Sequence, residues 1–308
     1  MKLYSVIIPV FNEQEAIISS YNRIKAVMDA LNNPYELIFV DDGSADESLS
    51  LLKIITETDS NAKVLSFSRN FGHQIAVSAG LDKCKGDAVI IIDADMQDPP
   101  EVIPDMLRLW KEGYDIVYGK RRNRKGESFF KKATASAYYR LLGSMSSVKI
   151  PNDTGDFRLI DRKVVEALKG MPERHRYLRG MNAWTGFKQY AFEYDREERK
   201  QGKSKYSLKK MMRLAADGIM SMSLKPLNMV FMLGIVLSIL GLGLIAAFIA
   251  VWAIKAFYPA LLLASLMVFL SGLIITSYGI LGAYIGRIYD EVRNRPLYII
   301  KEMINFKD

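Results

Sequence analysis

Between Lys225 and Arg287 the chain carries one charged residue, Lys255. Leaving so long an apolar stretch in water is very costly, whereas the hydrocarbon core of a bilayer accepts it. This segregation assigns the C-terminal third to lipid and rules out a purely soluble enzyme. Residues 228–253 and 260–286 are each long enough to cross about 30 Å of hydrocarbon at about 1.5 Å per residue, even when tilted. The short link from Lys255 to Pro259 makes the two spans (226–286 with their flanks) a transmembrane hairpin. Lys209, Lys210, Arg213 and Lys225 precede the first span, and Arg287, Arg293 and Arg295 follow the second. That excess of positive charge puts both termini on the cytoplasmic side. Neither span contains a charge, so nothing suggests an ion or proton path, and the pair reads as a plain anchor.

Just upstream, Leu208, Met212, Ala215, Ile219 and Met222 share one helical face while Lys209, Lys210 and Arg213 lie off it. Periodicity alone fits a core helix equally well. Its place directly before a span favours a juxtamembrane amphipathic helix over 207–225, lying in the membrane surface. The remainder divides into a domain over 1–206 and a tail over 287–308. The single cysteine, Cys84, cannot form an internal disulfide, and with only two histidines there is no structural zinc set. Disulfide scaffolds and zinc hydrolases are excluded. The N-terminal apolar run is broken by Pro9 and has no cleavage pattern, so no signal peptide is read and the first two-thirds are expected in the cytosol.

Within 1–206, short β-branched runs alternate with helical patterns, the signature of βαβ units and a mainly parallel α/β sheet. Strands are expected at 4–10, 36–40, 63–67, 88–92 and 116–118. Ile17, Tyr21, Ile24, Met28 and Leu31 repeat at helical spacing, with Asn12 and Glu15 as a capping box. Ser44 with Glu47 is expected to cap the next helix, and Pro99-Pro100 to open one containing Val102, Met106 and Trp110. Residues 120–205 show no clear periodicity and suit an active-site half made of loops and short elements.

Ligands of open α/β sheets bind outside the carboxyl ends of the strands. Two expected strands end in acidic pairs there, Asp41-Asp42-Gly43-Ser44 and Asp93-Ala94-Asp95-Met96-Gln97. Carboxylates two apart on an extended chain point to the same side and offer oxygen donors to one hard divalent cation beside a phosphate. Alone, either motif reads more readily as a cap or turn; together at strand ends they favour function. No Walker sequence and no G-x-G-x-x-G after the first strand are present, which argues against kinases, ATPases and nicotinamide enzymes. The site suits a nucleotide diphosphate sugar, with a cation neutralising the departing diphosphate. Lys120, Arg121, Arg122, Arg124 and Lys125 follow the last strand. A solvated face is the default, but beside a diphosphate site Arg121 is placed for phosphate contact and the others for anionic lipid rather than nucleic acid. His73 and His175 stand isolated, without a nucleophile's context.

The runs Ser5-Val6-Ile7-Ile8-Pro9-Val10-Phe11-Asn12-Glu13, Val40-Asp41-Asp42-Gly43-Ser44 and Asp93-Ala94-Asp95-Met96-Gln97-Asp98-Pro99-Pro100 resemble family-2 glycosyltransferases of the GT-A fold. Thr154-Gly155-Asp156-Phe157-Arg158-Leu159, Gly202-Lys203-Ser204-Lys205-Tyr206 and Arg295-Pro296-Leu297-Tyr298 narrow the resemblance to polyprenyl-phosphate glycosyltransferases, bactoprenol glucosyltransferases in particular. Ala283 departs from the pattern, where related proteins often carry Glu. The resemblance implies a donor site along Pro9, Asn12, Glu13, Asp41, Asp42, Asp93, Ala94, Gln97 and Arg121, with Asp42 near the nucleoside. It implies Mg²⁺ or Mn²⁺ on Asp93 and Asp95. It makes Asp95, Asp156 and Arg158 catalytic, Asp156 as a base or an orienting group on the acceptor side, and Lys203 and Lys205 phosphate contacts. The implied reaction is inverting transfer of a hexose, UDP-glucose being the favoured donor, to undecaprenyl phosphate at the cytoplasmic face of a bacterial inner membrane. UDP-N-acetylglucosamine, a UDP-aminopentose and GDP-mannose remain alternative donors; a processive polysaccharide synthase and a non-catalytic nucleotide-binding scaffold are the rival readings. The apolar tail Tyr298-Ile299-Ile300 is expected to add a strand to a neighbouring subunit, giving a homo-oligomer such as a tetramer.

Overall fold

The computed structural model describes residues 1–122, 154–195 and 259–306, with scattered helical positions between 227 and 243. The elements run β1 (Tyr4–Val10), α1 (Ile17–Ala30), β2 (Tyr35–Asp41), α2 (Ser48–Thr58), β3 (Ala62–Phe67), α3 (His73–Lys83), β4 (Ala88–Ile91), α4 (Ile103–Lys111) and β5 (Ile116–Arg121). They continue with β6 (Thr154–Asp161), α5 (Arg162–Lys169), α6 (Leu178–Trp184), β7 (Gln189–Tyr194), α7 (Pro259–Val292) and β8 (Ile300–Ile304). Eight strands form one sheet in the order β7-β5-β6-β4-β1-β2-β3-β8. The β4-β1-β2-β3 block is parallel, as the βαβ pattern dictates, while β6 runs antiparallel to both β4 and β5.

Both faces of the sheet are covered, so its central strands are buried throughout. Side chains alternate between the faces with the period of two that a pleated strand imposes. Val6 and Ile8 of β1 join Ile24, Leu52 and Met106 from α1, α2 and α4 on one face, while Ile7 meets Val77 of α3 and Val164 of α5 on the other. The helical spacing expected in α1 holds, with Ile17, Ile24 and Met28 buried. Pro99-Pro100 leads into a short 3₁₀ turn over Pro100–Val102, and the expected helix follows as α4 from Ile103, with Met106 and Trp110 in it and Val102 just before it.

The two expected caps do not form. α1 begins at Ile17 without a side-chain cap, and α2 begins at Ser48 without one from Ser44. Asn12 and Ser44 bond each other's loops instead, because side chains at two adjacent strand ends reach a neighbouring backbone as readily as their own helix. The irregular stretch proves to hold β6, α5, α6 and β7. A tail strand is present but starts later than expected, at Ile300 rather than Tyr298, and it pairs within the chain: β8 lies antiparallel along β3, with Leu65 opposite Met303. It covers the edge of its own sheet, so it gives no support to the expected oligomer.

Among the described residues, one helix is long and apolar enough to cross a membrane: α7, with the stretch Phe269–Val292 at a mean hydropathy of 1.5 and 6% buried. Many of its described apolar side chains are exposed, among them Phe269, Ile275, Ile285 and Val292, unlike those of a core helix. Most of the expected first span, and all of the expected surface helix over 207–225, lie outside the described residues.

Candidate functional site

The loops after β1 and β2 are sewn together. The backbone N–H of Asn12 donates to Ser44 Oγ (3.0 Å), Asn12 Oδ1 accepts from the N–H of Ala45 (2.8 Å), and the N–H of Glu13 donates to Ser48 Oγ (3.0 Å). Pro9 is buried in β1 opposite Val40. At the end of β2, Asp41 accepts from the N–H of Ser44 (3.0 Å) and the hydroxyl of Ser66 (2.8 Å). Asp42 accepts from the N–H of Phe71 (2.6 Å), the N–H of Gly72 (3.0 Å) and Asn70 Nδ2 (2.9 Å). Both carboxylates are almost fully buried. Burial raises the Asp42 carboxyl above its ordinary value despite the opposing N–H groups of Phe71 and Gly72. Gly43 adopts φ +67°, and a Cβ there would stand 2.4 Å from the backbone carbon of Arg69, so only glycine allows the 69–72 segment to close over Asp42.

A second group of charges gathers beyond the end of β4. β6 places Arg158 opposite Ile91, so Asp156, two residues earlier on an antiparallel strand, projects past the end of β4 beside Asp93. His73, the first residue of α3, enters between them: its Nε2 lies 3.6 Å from Asp93 Oδ1 and 3.4 Å from Asp156 Oδ2. Arg179 of α6 grips Asp156 with both arms, Nε to Oδ1 at 2.9 Å and Nη2 to Oδ2 at 3.2 Å. Arg158 is buried and stands 3.9 Å from Asp156 Oδ1, donating instead to the carbonyls of Gly155 and Asp156. Asp95 accepts from the N–H of Gln97 (3.2 Å) across a turn in which Met96 takes φ +54°. Ala94, between the acids, packs into the core.

These neighbours set the protonation of the group. Burial lifts the Asp93 carboxyl to about 6; His73 opposes the rise, and Asp156, Asp95 and Asp98 add to it. Burial works against a charged His73, but Asp93 and Asp156 outweigh it and lift the imidazole to about 9. For Asp156, burial is overcome by Arg179 and His73, which hold the carboxyl well below the usual carboxylate range.

The expectation that His73 is isolated is therefore overturned, and Arg179 was not singled out at all. His73 opens α3 at the end of the loop that follows β3, with five residues between it and Phe67, too far along the chain for a motif at the strand end itself to include it. Arg179 has no local signal either, since its partner is 23 residues away in sequence. Lys120, at the end of β5, pairs with Glu193 (2.8 Å). The side chain of Arg121, and all of Arg124, Lys125, Lys203 and Lys205, lie outside the described residues.

Asp93 Oδ1 is a buried oxygen without a hydrogen-bond partner, the condition a cation would relieve. Asp93 and Asp95 supply hard oxygen donors of the kind Mg²⁺ and Mn²⁺ prefer. Among the described residues, no group of three or more His, Cys, Asp or Glu side chains is arranged to hold a metal ion. A cation at Asp93 and Asp95 would need further ligands beyond these two side chains.

The sequence profile described as Glycosyl transferase family 2 matches residues 5–169. The chain is 48% identical to an uncharacterised glycosyltransferase of Bacillus subtilis (strain 168), YkcC, over 97% of this chain and 93% of that one. It is 40% identical to a prophage-derived bactoprenol glucosyl transferase of Shigella flexneri, over 97% of each. A prophage bactoprenol glucosyl transferase homologue of Escherichia coli (strain K12) is also 40% identical, over 97% of this chain and 98% of that one.

Proposed function

Because the chain belongs to glycosyl transferase family 2, we propose that it moves a hexose from a nucleotide diphosphate sugar, UDP-glucose first among them, to undecaprenyl phosphate at the cytoplasmic membrane face. Full-length relatives named for bactoprenol glucosyl transfer support the acceptor, and the exposed apolar helix α7 supports a membrane setting. The observation that carries the reading is the convergence of Asp93 and Asp156 from β4 and β6 on His73, at the strand-end face of a nucleotide-binding type of sheet.

In the proposed reaction an oxygen of the acceptor phosphate attacks the anomeric carbon as the bond from that carbon to the diphosphate breaks, inverting the centre. The second ionisation of a phosphate monoester falls near about 6, so the attacking oxygen is largely deprotonated at neutral pH and needs no strong base. Asp156 fits such a reaction as an orienting group: Arg179 occupies both of its oxygens, and a carboxylate so held takes up a proton poorly. His73 and Arg179 bring positive charge to the place where two phosphates meet. Asp93 and Asp95 would hold Mg²⁺ or Mn²⁺, whose chemistry is to neutralise charge building on the departing diphosphate.

The test is transfer of radiolabelled sugar from a panel of UDP- and GDP-sugars to undecaprenyl phosphate by the purified full chain. One donor giving a lipid-linked product, lost with EDTA and restored by Mg²⁺ or Mn²⁺, is expected. Nucleotide binding without transfer from any donor would favour the non-catalytic scaffold.

A further inference from the structure

Asp93 and Asp95 stand in a turn that is held from beneath. Burial alternates through it: Ala94 and Asp98 are buried, whereas Asp93, Asp95 and Gln97 are partly exposed. The sheet fixes the near end of the turn, where the N–H of Ile92 donates to the carbonyl of Ile7 (3.1 Å). Asp98 fixes the far end: it is 1% exposed and accepts a hydrogen bond from the hydroxyl of Tyr194. A carboxylate is costly to bury unless a donor meets it. This donor comes from the last residue of β7, 96 positions along the chain. An apolar side chain would fill the same space at less cost, but it would not fix a direction as a hydrogen bond does.

Tyr194 is itself firmly seated. Its carbonyl accepts from the N–H of Arg122 (3.0 Å), where β7 pairs with β5. Its ring meets Phe157 of β6 edge to face, with centroids 5.7 Å apart, and both rings belong to the core cluster that includes Ala94. A Cβ on Gly119 of β5 would stand 2.7 Å from Tyr194 Cε1, so the glycine leaves room for the ring. Phe157 lies between Asp156 and Arg158 on β6. One buried link, Phe157 to Tyr194 to Asp98, therefore ties the strand of the acceptor-side acid to the turn that carries Asp93 and Asp95. We propose that Tyr194 is a positioning residue for the cation site: its hydroxyl holds Asp98, and through Asp98 it holds Asp93 and Asp95 together for one divalent cation. Removing a partner that stands behind a metal's own ligands typically costs about 10- to 100-fold in metal affinity. The inference rests on the metal role proposed for Asp93 and Asp95, and it names what keeps them in place.

Tyr194→Phe tests this with little disturbance, because it removes the hydroxyl and keeps the ring against Phe157. Mn²⁺ binding is followed through the electron paramagnetic resonance signal of the free ion, with UDP present and its own Mn²⁺ binding subtracted from a protein-free titration. The detergent-solubilised full chain, Tyr194→Phe, Asp98→Ala and the double variant are compared, with circular dichroism as the check on folding. The expected result is a Kd for Mn²⁺ raised about tenfold in Tyr194→Phe, with no further weakening when that substitution is added to Asp98→Ala. In transfer assays the Mn²⁺ concentration giving half-maximal rate should rise by the same factor, while the KM for undecaprenyl phosphate stays unchanged. An unchanged Kd in Tyr194→Phe, whatever its melting temperature, overturns the assignment. Losses that multiply in the double variant also overturn it, since hydroxyl and carboxylate would then act apart. If Asp98→Ala does not fold, Tyr194→Phe decides alone. Should the unmodified chain bind no Mn²⁺ at all, the metal role of Asp93 and Asp95 has failed and the assignment falls with it.

Discussion

The acidic residues that follow β2 and those that follow β4 stand at the same end of one sheet, yet their surroundings differ in kind. Asp41 and Asp42 accept hydrogen bonds from N–H and hydroxyl donors of the chain itself, and these bonds fix the loops at 41–48 and 69–72. Asp93 keeps a buried oxygen unbonded among other carboxylates, with His73 nearby at 3.6 Å. A carboxylate whose hydrogen bonds are complete stabilises a fold; one left incomplete in a cleft is poised for a ligand. Substitutions in the two groups should therefore separate stability from activity.

The largest effects are expected at the acids after β4: Asp95→Asn, like Asp93→Asn, should lower transfer by about a thousandfold or more while leaving circular dichroism unchanged and the melting temperature no lower. Full activity in either variant would remove the metal role from that residue. Asp42→Ala should do the opposite kind of damage, costing about 3 kcal/mol in denaturant unfolding by stranding the N–H groups of Phe71 and Gly72. Arg179→Gln frees Asp156 and should reduce kcat about tenfold, with partial recovery in Arg179→Lys; equal rates would leave Arg179 a purely structural partner.

Asp93 offers the sharpest contrast with Asp42. Its carboxyl is raised to about 6 in the fold against about 3.9 in an unfolded chain. The native state thus holds more protons than the unfolded state between about pH 4 and 6, and this group's contribution to stability declines as pH rises through that window. Asp93→Asn removes the penalty, so the metal-free variant at pH 7 should melt no lower than the unmodified chain although its transfer is lost. A clear drop in its melting temperature would place Asp93 with Asp42 as a structural acid. Smallest of the five, Asn12→Ala unpicks one stitch between the loops and should cost about 1 kcal/mol with little change in rate.

How far the sequence could show this divide depends on whether a signal is local. The acids at 41–42 and 93–95 were legible because a β-branched run ending in Asp is read within ten residues. The direction of β6 was not legible, since no local pattern says which strand it pairs with, although the helical spacing of Val164, Val165 and Leu168 just after it could have been read. Without an antiparallel β6 beside β4 there is no reason to bring Asp156 to Asp93, or His73 and Arg179 to Asp156. The caps misread at Asn12 and Ser44 share this cause: both residues have the chemistry of a cap, and a neighbouring strand end, invisible along the chain, captures them first. The tail shows the same thing in reverse. Tyr298-Ile299-Ile300 suggests a strand, which forms from Ile300 onward, and only the fold reveals that the edge of β3 lies within its reach.

The most direct measurement is the initial rate of lipid-linked sugar formation from UDP-glucose and undecaprenyl phosphate, followed against Mg²⁺ or Mn²⁺ concentration for the unmodified chain and Asp93→Asn side by side. Saturable, metal-dependent transfer by the first and none by an equally well folded second is the predicted result. Equal rates in the two proteins, or full transfer in EDTA, would contradict a metal-assisted reaction centred on the acids after β4.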